Sequence, residues 1–294
     1  MSKFPTPVFL KDHAIGLIKL MRPKQWVKNG FVFAPLLFTG ELLNTNAVAQ
    51  TAIAALLFCI ASSATYIVND LRDIEFDRQH PKKSKSRPLA SGVVRPPAAL
   101  ILLIALYFIL LLGFYLIPKV IWVIIAYLLL NLAYTFLLKH HPVIDIFTIS
   151  IGFVLRVIAG SYALNVVPSA WMCITTLCLA LYLAAIKRRQ ELAKSGTDGR
   201  TVLKSYTVKL VDRYAEMSAT GAVLFYSMFV MSTKPDLVIT IPLVLYGLFR
   251  YWYVIESLDG GESPTDALYA DWQMFAVVIL WVLACALVLT RGLL

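Results

Sequence analysis

The chain's 294 residues are 59% hydrophobic and only 15% charged, with a mean hydropathy of +0.74. Soluble domains carry about a quarter charged residues, so this composition excludes a soluble enzyme and predicts an all-α polytopic membrane protein. The net charge of +10 then reflects topology and attraction to anionic membrane lipid, not nucleic acid.

In chain order, residues 1–25 set Phe9, Leu10, Leu17, Ile18, Leu20 and Met21 among basic residues. That pattern predicts an N-terminal amphipathic helix lying in the membrane interface. The stretch lacks the uninterrupted apolar core and small-residue cleavage site of a signal peptide. Nine apolar runs follow, predicting a bundle of nine transmembrane helices at 28–43, 47–69, 98–116, 120–138, 145–164, 168–186, 214–233, 237–254 and 271–290. The first is the weakest, since its apolar part, Phe31 to Thr39, is short and contains Pro35; it either crosses or re-enters. No room remains for a soluble domain, so residues 1–294 read as one transmembrane domain.

Lys and Arg alternate between the connections. Residues 1–28 carry Lys3, Lys11, Lys19, Arg22, Lys24 and Lys28, and the 70–97 and 187–213 loops are equally basic, while the segments near 44 and 165 carry none. Nine spans with a cytoplasmic N-terminus satisfy that alternation, in a multi-pass protein of the cytoplasmic (inner) membrane. Cys59, Cys173, Cys178 and Cys285 fall in apolar spans without metal-ligand spacing, and His13, His80, His140 and His141 form no metal-binding pair. These residues carry no predicted chemistry.

Chemistry is expected where polar residues meet the membrane. At the end of the second span the chain reads Asn69-Asp70-Leu-Arg72-Asp73-Ile-Glu75-Phe-Asp77-Arg78. If the helix continues, Asn69, Asp73 and Asp77 stack at i, i+4 and i+8 with Asp70 beside them, while Arg72, Glu75 and Arg78 point elsewhere. Carboxylates crowded on one face repel unless a cation holds them. Oxygen ligands of this kind suit Mg²⁺, which takes one or two carboxylates and completes its shell with water and substrate phosphate. Asn69, Asp73 and Asp77 are the predicted metal ligands, with Asp70 grouped among the catalytic residues. A solvated acidic helix end is the alternative.

Asn69-Asp70-xx-Asp73-xxx-Asp77, followed by Arg87-Pro88-Leu89-Ala90-Ser91-Gly92, resembles the first aspartate motif and loop of the UbiA superfamily of intramembrane prenyltransferases. The resemblance covers essentially the whole chain and implies a nine-helix fold with cytoplasmic active-site loops at 70–97 and 187–213. Three further segments look like its decaprenyl-phosphate phosphoribosyltransferase branch. They are Arg22-Pro23-Lys24-Gln25-Trp26-Val27-Lys28-Asn29; Tyr134, Leu138 and Lys139 ahead of Asp145; and Lys187, Arg188, Glu191 and Leu192. A late stretch, Pro264-Thr265-Asp266 to Asp271, is similar too.

The departure from the aromatic prenyltransferases of that superfamily lies at the end of the sixth span. They carry a second aspartate motif there, where this chain has Lys187-Arg188-Arg189-Gln190-Glu191. One acidic wall and one basic wall suit two phosphorylated substrates. The resemblance therefore implies Mg²⁺-dependent transfer of phosphoribosyl from 5-phosphoribosyl 1-diphosphate to a polyprenyl phosphate, for cell-envelope glycan precursors. Expected substrate contacts are Lys28, Asn29, Arg87, Tyr134, Lys139, Asp145, Arg156, Lys187, Arg188 and Glu191.

Several have a plainer reading. Lys139 and Asp145 form a salt bridge across their turn, Lys28 snorkels, Arg87 orders its loop, and Arg156 makes a buried ion pair or bonds a helix-end carbonyl. Gly152 and Gly160, on the Arg156 face, suggest close helix packing. Glu256, Asp259, Glu262, Asp266 and Asp271 suit a lid or ribose contacts. An aromatic prenyltransferase and a non-enzymatic lipid-phosphate carrier are the competing functions, and a homo-oligomer is compatible with all three.

Overall fold

The computed structural model describes residues 7–79, 83–195, 201–257, 267–268 and 270–290. Asp259, Glu262, Asp266 and the Pro264-Thr265 pair lie outside these residues, as does His80. Helix is the sole regular secondary structure among those described.

Helix α1 (Pro7–Met21) leads through a 3₁₀ stretch (Pro23–Phe33) to the short α2 (Ala34–Thr39). The long α3 (Thr45–Arg72) follows, then two short helices, α4 (Ile74–Gln79) and α5 (Lys83–Ser86). The remainder is long helix: α6 (Pro96–Leu116), α7 (Pro118–Phe136), α8 (Ile144–Ala163), α9 (Ala170–Ser195), α10 (Val208–Thr233), α11 (Ile241–Ser257) and α12 (Trp272–Thr290). Local chemistry sets these boundaries. Asn44 accepts from the backbone N–H groups of Asn46 and Ala47 to cap α3, and Pro96 and Pro118 occupy first-turn positions where no donor is lost.

Seven of these segments, α3, α6, α7, α8, α9, α12 and the Pro235–Ser257 run that ends in α11, are long and apolar enough to cross a bilayer. Their outward faces carry large apolar side chains: Ile101, Ile104 and Leu111 of α6 are about two-thirds exposed. Water would penalise a belt of that size, and lipid does not. The chain is a multi-pass membrane protein. The predicted 214–233 run lies within α10, whose first half also carries Lys209, Asp212, Arg213 and Glu216.

The first predicted run differs from a regular α-helix. From Pro23 to Phe33 the chain is 3₁₀, entered from Arg22 in the left-handed region (φ 54°), and the α-helical part is six residues ending at Gly40 (φ 79°). Proline at 23 and 35 withholds two backbone donors, and Gly40 supplies the left-handed stop. A 3₁₀ helix rises about 2 Å per residue, so these eleven residues extend roughly 22 Å.

Gly160 explains how this stretch nests in the bundle. A Cβ added there would meet the Val32 carbonyl oxygen at 2.0 Å and the Pro35 ring at 3.0 Å. Close packing at Gly160 is thus against the 3₁₀ backbone. At Gly152 an added Cβ would make ordinary contacts of 3.6 Å; its carbonyl, instead, accepts from Arg156. Beneath this layer, Val32, Ala54, Phe58, Ala61, Val120, Ile124, Tyr127 and Ala159 form a core joining α3, α7 and α8. Gly160→Ala is expected to lower stability by about 1–3 kcal/mol through overpacking, read as a fall in the thermal midpoint in detergent. An unchanged midpoint would contradict the contact.

Candidate active site

The i+4 run at the end of α3 continues past its own helix end. Asp73 leaves helical geometry (φ −94°, ψ 13°), yet its N–H still bonds the Asn69 carbonyl at 3.0 Å and the Asp77 N–H bonds the Asp73 carbonyl at 2.8 Å. Asn69, Asp73 and Asp77 all line one cavity of about 1150 Å³ between the helices. Asp70 does not line it. Buried at 2% exposure, its carboxylate lies between Arg22 and Arg87 in two very short ion pairs.

Each carboxylate on the cavity meets a cation. Lys139 reaches Asp73 at 3.1 Å. Arg87 and Lys83 reach Asp77 at 3.0 and 3.5 Å. The plainer alternative, a salt bridge between Lys139 and Asp145 across their turn, does not form: Lys139 pairs with Asp73 and Asp145 with Arg188. Among the described residues no three His, Cys, Asp or Glu side chains converge as a ready-made metal cluster. The donors still fit Mg²⁺: two carboxylates and an amide at successive turns on one cavity wall, with room for phosphate oxygens.

The opposite wall comes from α9. Lys187 and Arg188 line the cavity, and Arg188 is 1% exposed. Its Nε lies 3.1 Å from Asp145 and its Nη1 pairs with Glu191, while Nη2 has no hydrogen-bond partner. Asp145 and Glu191 therefore stand behind Arg188 and outside the cavity lining. Arg189, one residue on, turns away to Asp212 at 2.7 Å and Glu256 at 2.6 Å. A 100° rotation per residue accounts for the split.

The motif Arg22-Pro-Lys-Gln-Trp-Val-Lys-Asn resolves into separate tasks. Arg22 reaches Asp70 and stacks over the Tyr66 ring at 4.7 Å. Trp26 donates to Ser63 at 3.1 Å, and Lys28 lines the cavity. Asn29 is buried and does not line it: it donates to Cys59 and Ser62 and accepts from Arg156 Nε at 2.8 Å.

Arg156 lies about 16 Å along α8 from Asp145, deep in the same cavity. It donates to the Gly152 carbonyl at 2.7 Å and to Tyr127 at 3.1 Å, and lies over the rings of Phe58, Tyr127 and Phe153. No carboxylate among the described residues lies in ion-pair range of it. Tyr134 also lines the cavity.

Other residues stand outside the expected substrate contacts. Arg22, Arg72 and Lys83 line the cavity. Arg72, expected to point elsewhere, stacks on Phe136 at 4.3 Å; it stands i+3 from Asn69 in the last turn of α3, near enough to share the cavity face. Glu75 and Arg78 do point away, pairing with each other at 2.9 Å. Asp271 pairs with Arg250 at 2.6 Å and caps α12 through Met274 N. Tyr206, in the connection between α9 and α10, holds Asp145 at 2.6 Å; a tyrosine in a loop gave no sequence signal of this.

The site so far is that of a multi-pass helical membrane protein with an interhelical cavity that sets carboxylates against guanidinium and ammonium groups, a donor set suited to phosphate esters and a divalent cation. The UbiA prenyltransferase family model matches residues 31–277, and the chain belongs to that family. Decaprenyl-phosphate phosphoribosyltransferase from Corynebacterium glutamicum is 34% identical over 291 residues, covering 92% of this chain and 86% of its own length. Its namesake from Mycolicibacterium smegmatis is 37% identical over 237 residues, covering 78% and 74%. Among solved structures, a UbiA homolog from Archaeoglobus fulgidus bound to GPP and Mg²⁺ superposes with a TM-score of 0.72 at 18% identity, covering 94% of this chain and 99% of that one.

Asn29→Ala strips a buried arginine of its Nε acceptor, and is expected to cost about 1–3 kcal/mol. The thermal midpoint should fall, and a variant as stable as the parent would show that water replaces the amide.

Proposed function

We propose that this protein transfers the 5-phosphoribosyl group from 5-phosphoribosyl 1-diphosphate to a polyprenyl phosphate of decaprenyl type, releasing diphosphate. The observation that carries this reading is the division of one cavity into a carboxylate wall, Asp73 and Asp77, and a cationic wall, Lys187 and Arg188. The names of the relatives from Corynebacterium and Mycolicibacterium agree with it.

In this reading the chain spans the cytoplasmic membrane nine times, with the Pro23–Thr39 segment as the first crossing and α1 in the interface. The N-terminus and the 70–97 and 187–213 loops face the cytoplasm. The soluble donor enters from that side; the lipid acceptor enters from the leaflet, its chain in the apolar depth lined by Phe31, Leu37, Phe38, Phe229 and Trp281. The product serves cell-envelope glycan synthesis.

The ribose C1–O bond to diphosphate breaks, and a C1–O bond to the lipid phosphate forms. Asn69, Asp73 and Asp77 would hold Mg²⁺, which supplies positive charge for the departing diphosphate. Arg87, Lys83 and Lys139, already on these carboxylates, add their charge beside the same leaving group. Lys187 and Arg188 orient the lipid phosphate, and the carboxylates behind Arg188 fix its plane. The acceptor oxygen is already ionised, so no side chain has to take a proton.

Labelled phosphoribosyl diphosphate, offered with Mg²⁺ and polyprenyl phosphate, should place label in the lipid extract. Label that instead reaches only an aromatic acid, from a prenyl diphosphate donor, would make the protein an aromatic prenyltransferase. Asp73→Asn and Asp77→Asn should each abolish transfer in folded protein, as EDTA should.

Arg188→Ala should weaken polyprenyl phosphate binding about 10–150-fold, the worth of a lost charge-assisted bond. Arg189→Ala should leave it within about twofold, because its partners are Asp212 and Glu256. Equal losses in both variants would return α9's cations to a topological role. In a substrate complex every Mg²⁺ should lie on the 69–77 segment, with none on Glu191, which Arg188 already occupies.

A further inference from the structure

The turn between α7 and α8 has an unusual backbone. Val143 sits at φ 68°, ψ −48°, and the Ile144 N–H closes back on the Pro142 carbonyl at 2.8 Å. This is a three-residue γ-turn of the positive-φ kind, which is rare and strained, and its central residue is β-branched. Both neighbours of the turn reach the site: Lys139 before it pairs with Asp73, and Asp145 after it lies 3.1 Å from Arg188. The turn thus sets the acidic and the cationic wall relative to each other.

One side chain holds it. The Tyr206 hydroxyl accepts the Val143 N–H at 2.6 Å and donates to Asp145 Oδ1 at 2.6 Å. The ring is 5% exposed, packed with Ile186, Val202, Leu203 and Val211, so the hydroxyl has a fixed position. Burial and the bond to Asp145 push this phenol well above its ordinary range, which keeps its proton on the donor side. Asp145 Oδ2 is left to face Arg188, whose Nη2 has no partner.

Building on the phosphoribosyl-transfer reading, we propose that Tyr206 is a positioning residue. It clasps the strained turn and orients Asp145 so that the Arg188 guanidinium is aimed at the phosphate of the polyprenyl acceptor. Tyr206 touches no substrate; it works through Arg188.

The test is a double-mutant cycle on purified protein in nanodiscs, with polyprenyl phosphate as the varied substrate. Wild-type phosphoribosyl transfer decides the underlying reading; the variants decide the clasp. Tyr206→Phe keeps the ring and should raise KM for polyprenyl phosphate about tenfold or more, with kcat within about threefold. In an Arg188→Ala background the same substitution should raise KM no further. Val143→Gly, which accepts φ 68° without strain, should restore the thermal midpoint that Tyr206→Phe lowers, and Val143→Gly/Tyr206→Phe replaces the single variant in the cycle if that one does not fold. Additive KM effects of the Tyr206 and Arg188 substitutions, an unchanged KM in Tyr206→Phe, or a midpoint that glycine fails to recover would each overturn the clasp.

Discussion

The site depends first on a carboxylate that does not face it. Asp70 is buried between Arg22 and Arg87, and those three residues come from the segment after α1, from α3, and from the segment after α5. A carboxylate lost from water costs several kcal/mol unless it is paired, so Asp70 draws both arginines inward and pins the two flanking segments to the end of α3. Arg87 then spans Asp70 and Asp77. With Asp70 fully engaged, Asp73 and Asp77 are the carboxylates left to the cavity, and the arginine that fixes the frame stands next to the phosphate-handling group.

Charge balance separates the mouth of the cavity from its depth. At the mouth Lys139, Arg87 and Arg188 each have a carboxylate within reach, while Lys28, Arg72 and Lys187 add further positive charge to the lining. Arg156, deeper by several turns, has an amide, a carbonyl, a phenol and three aromatic faces. Dipoles and ring quadrupoles hold a cation in a dry interior without cancelling it. The lower cavity therefore keeps a net positive potential.

Regular periodicity is legible in the sequence itself. The Asn69–Asp73–Asp77 run needed only the 3.6-residue repeat, and it survived the break at Asp73 because the i+4 backbone bonds persist there. The Lys187–Arg188–Arg189 run was legible as cationic, but its division was not: which cation faces the cavity depends on Asp212 and Glu256, supplied by α10 and α11. Asn29 and Asp145 stand out in sequence only through the motifs of the resemblance; long-range contacts reveal that they brace arginines. Tyr206 and Val143 were illegible for a stronger reason, since nothing local predicts a β-branched residue at positive φ when the compensating hydroxyl lies 63 residues away. The 3₁₀ entry of the first segment was hidden because proline and glycine there signal irregularity without specifying its pitch.

The number of metal ions turns on Glu191. In isolation it is a carboxylate beside a phosphate-binding wall, and so a candidate for a second Mg²⁺. In the fold it pairs with Arg188, one turn before it on α9. Drawing a divalent ion to Glu191 would strip Arg188 of one of its two carboxylates and set the ion against a guanidinium, an opposition of roughly 4 kcal/mol per unit-charge pair at an effective dielectric near 20. Asp145 offers no relief, because Tyr206 and Arg188 occupy its two oxygens. The carboxylates of this wall are already engaged by Arg188, and a second Mg²⁺ would have to compete with that guanidinium for them.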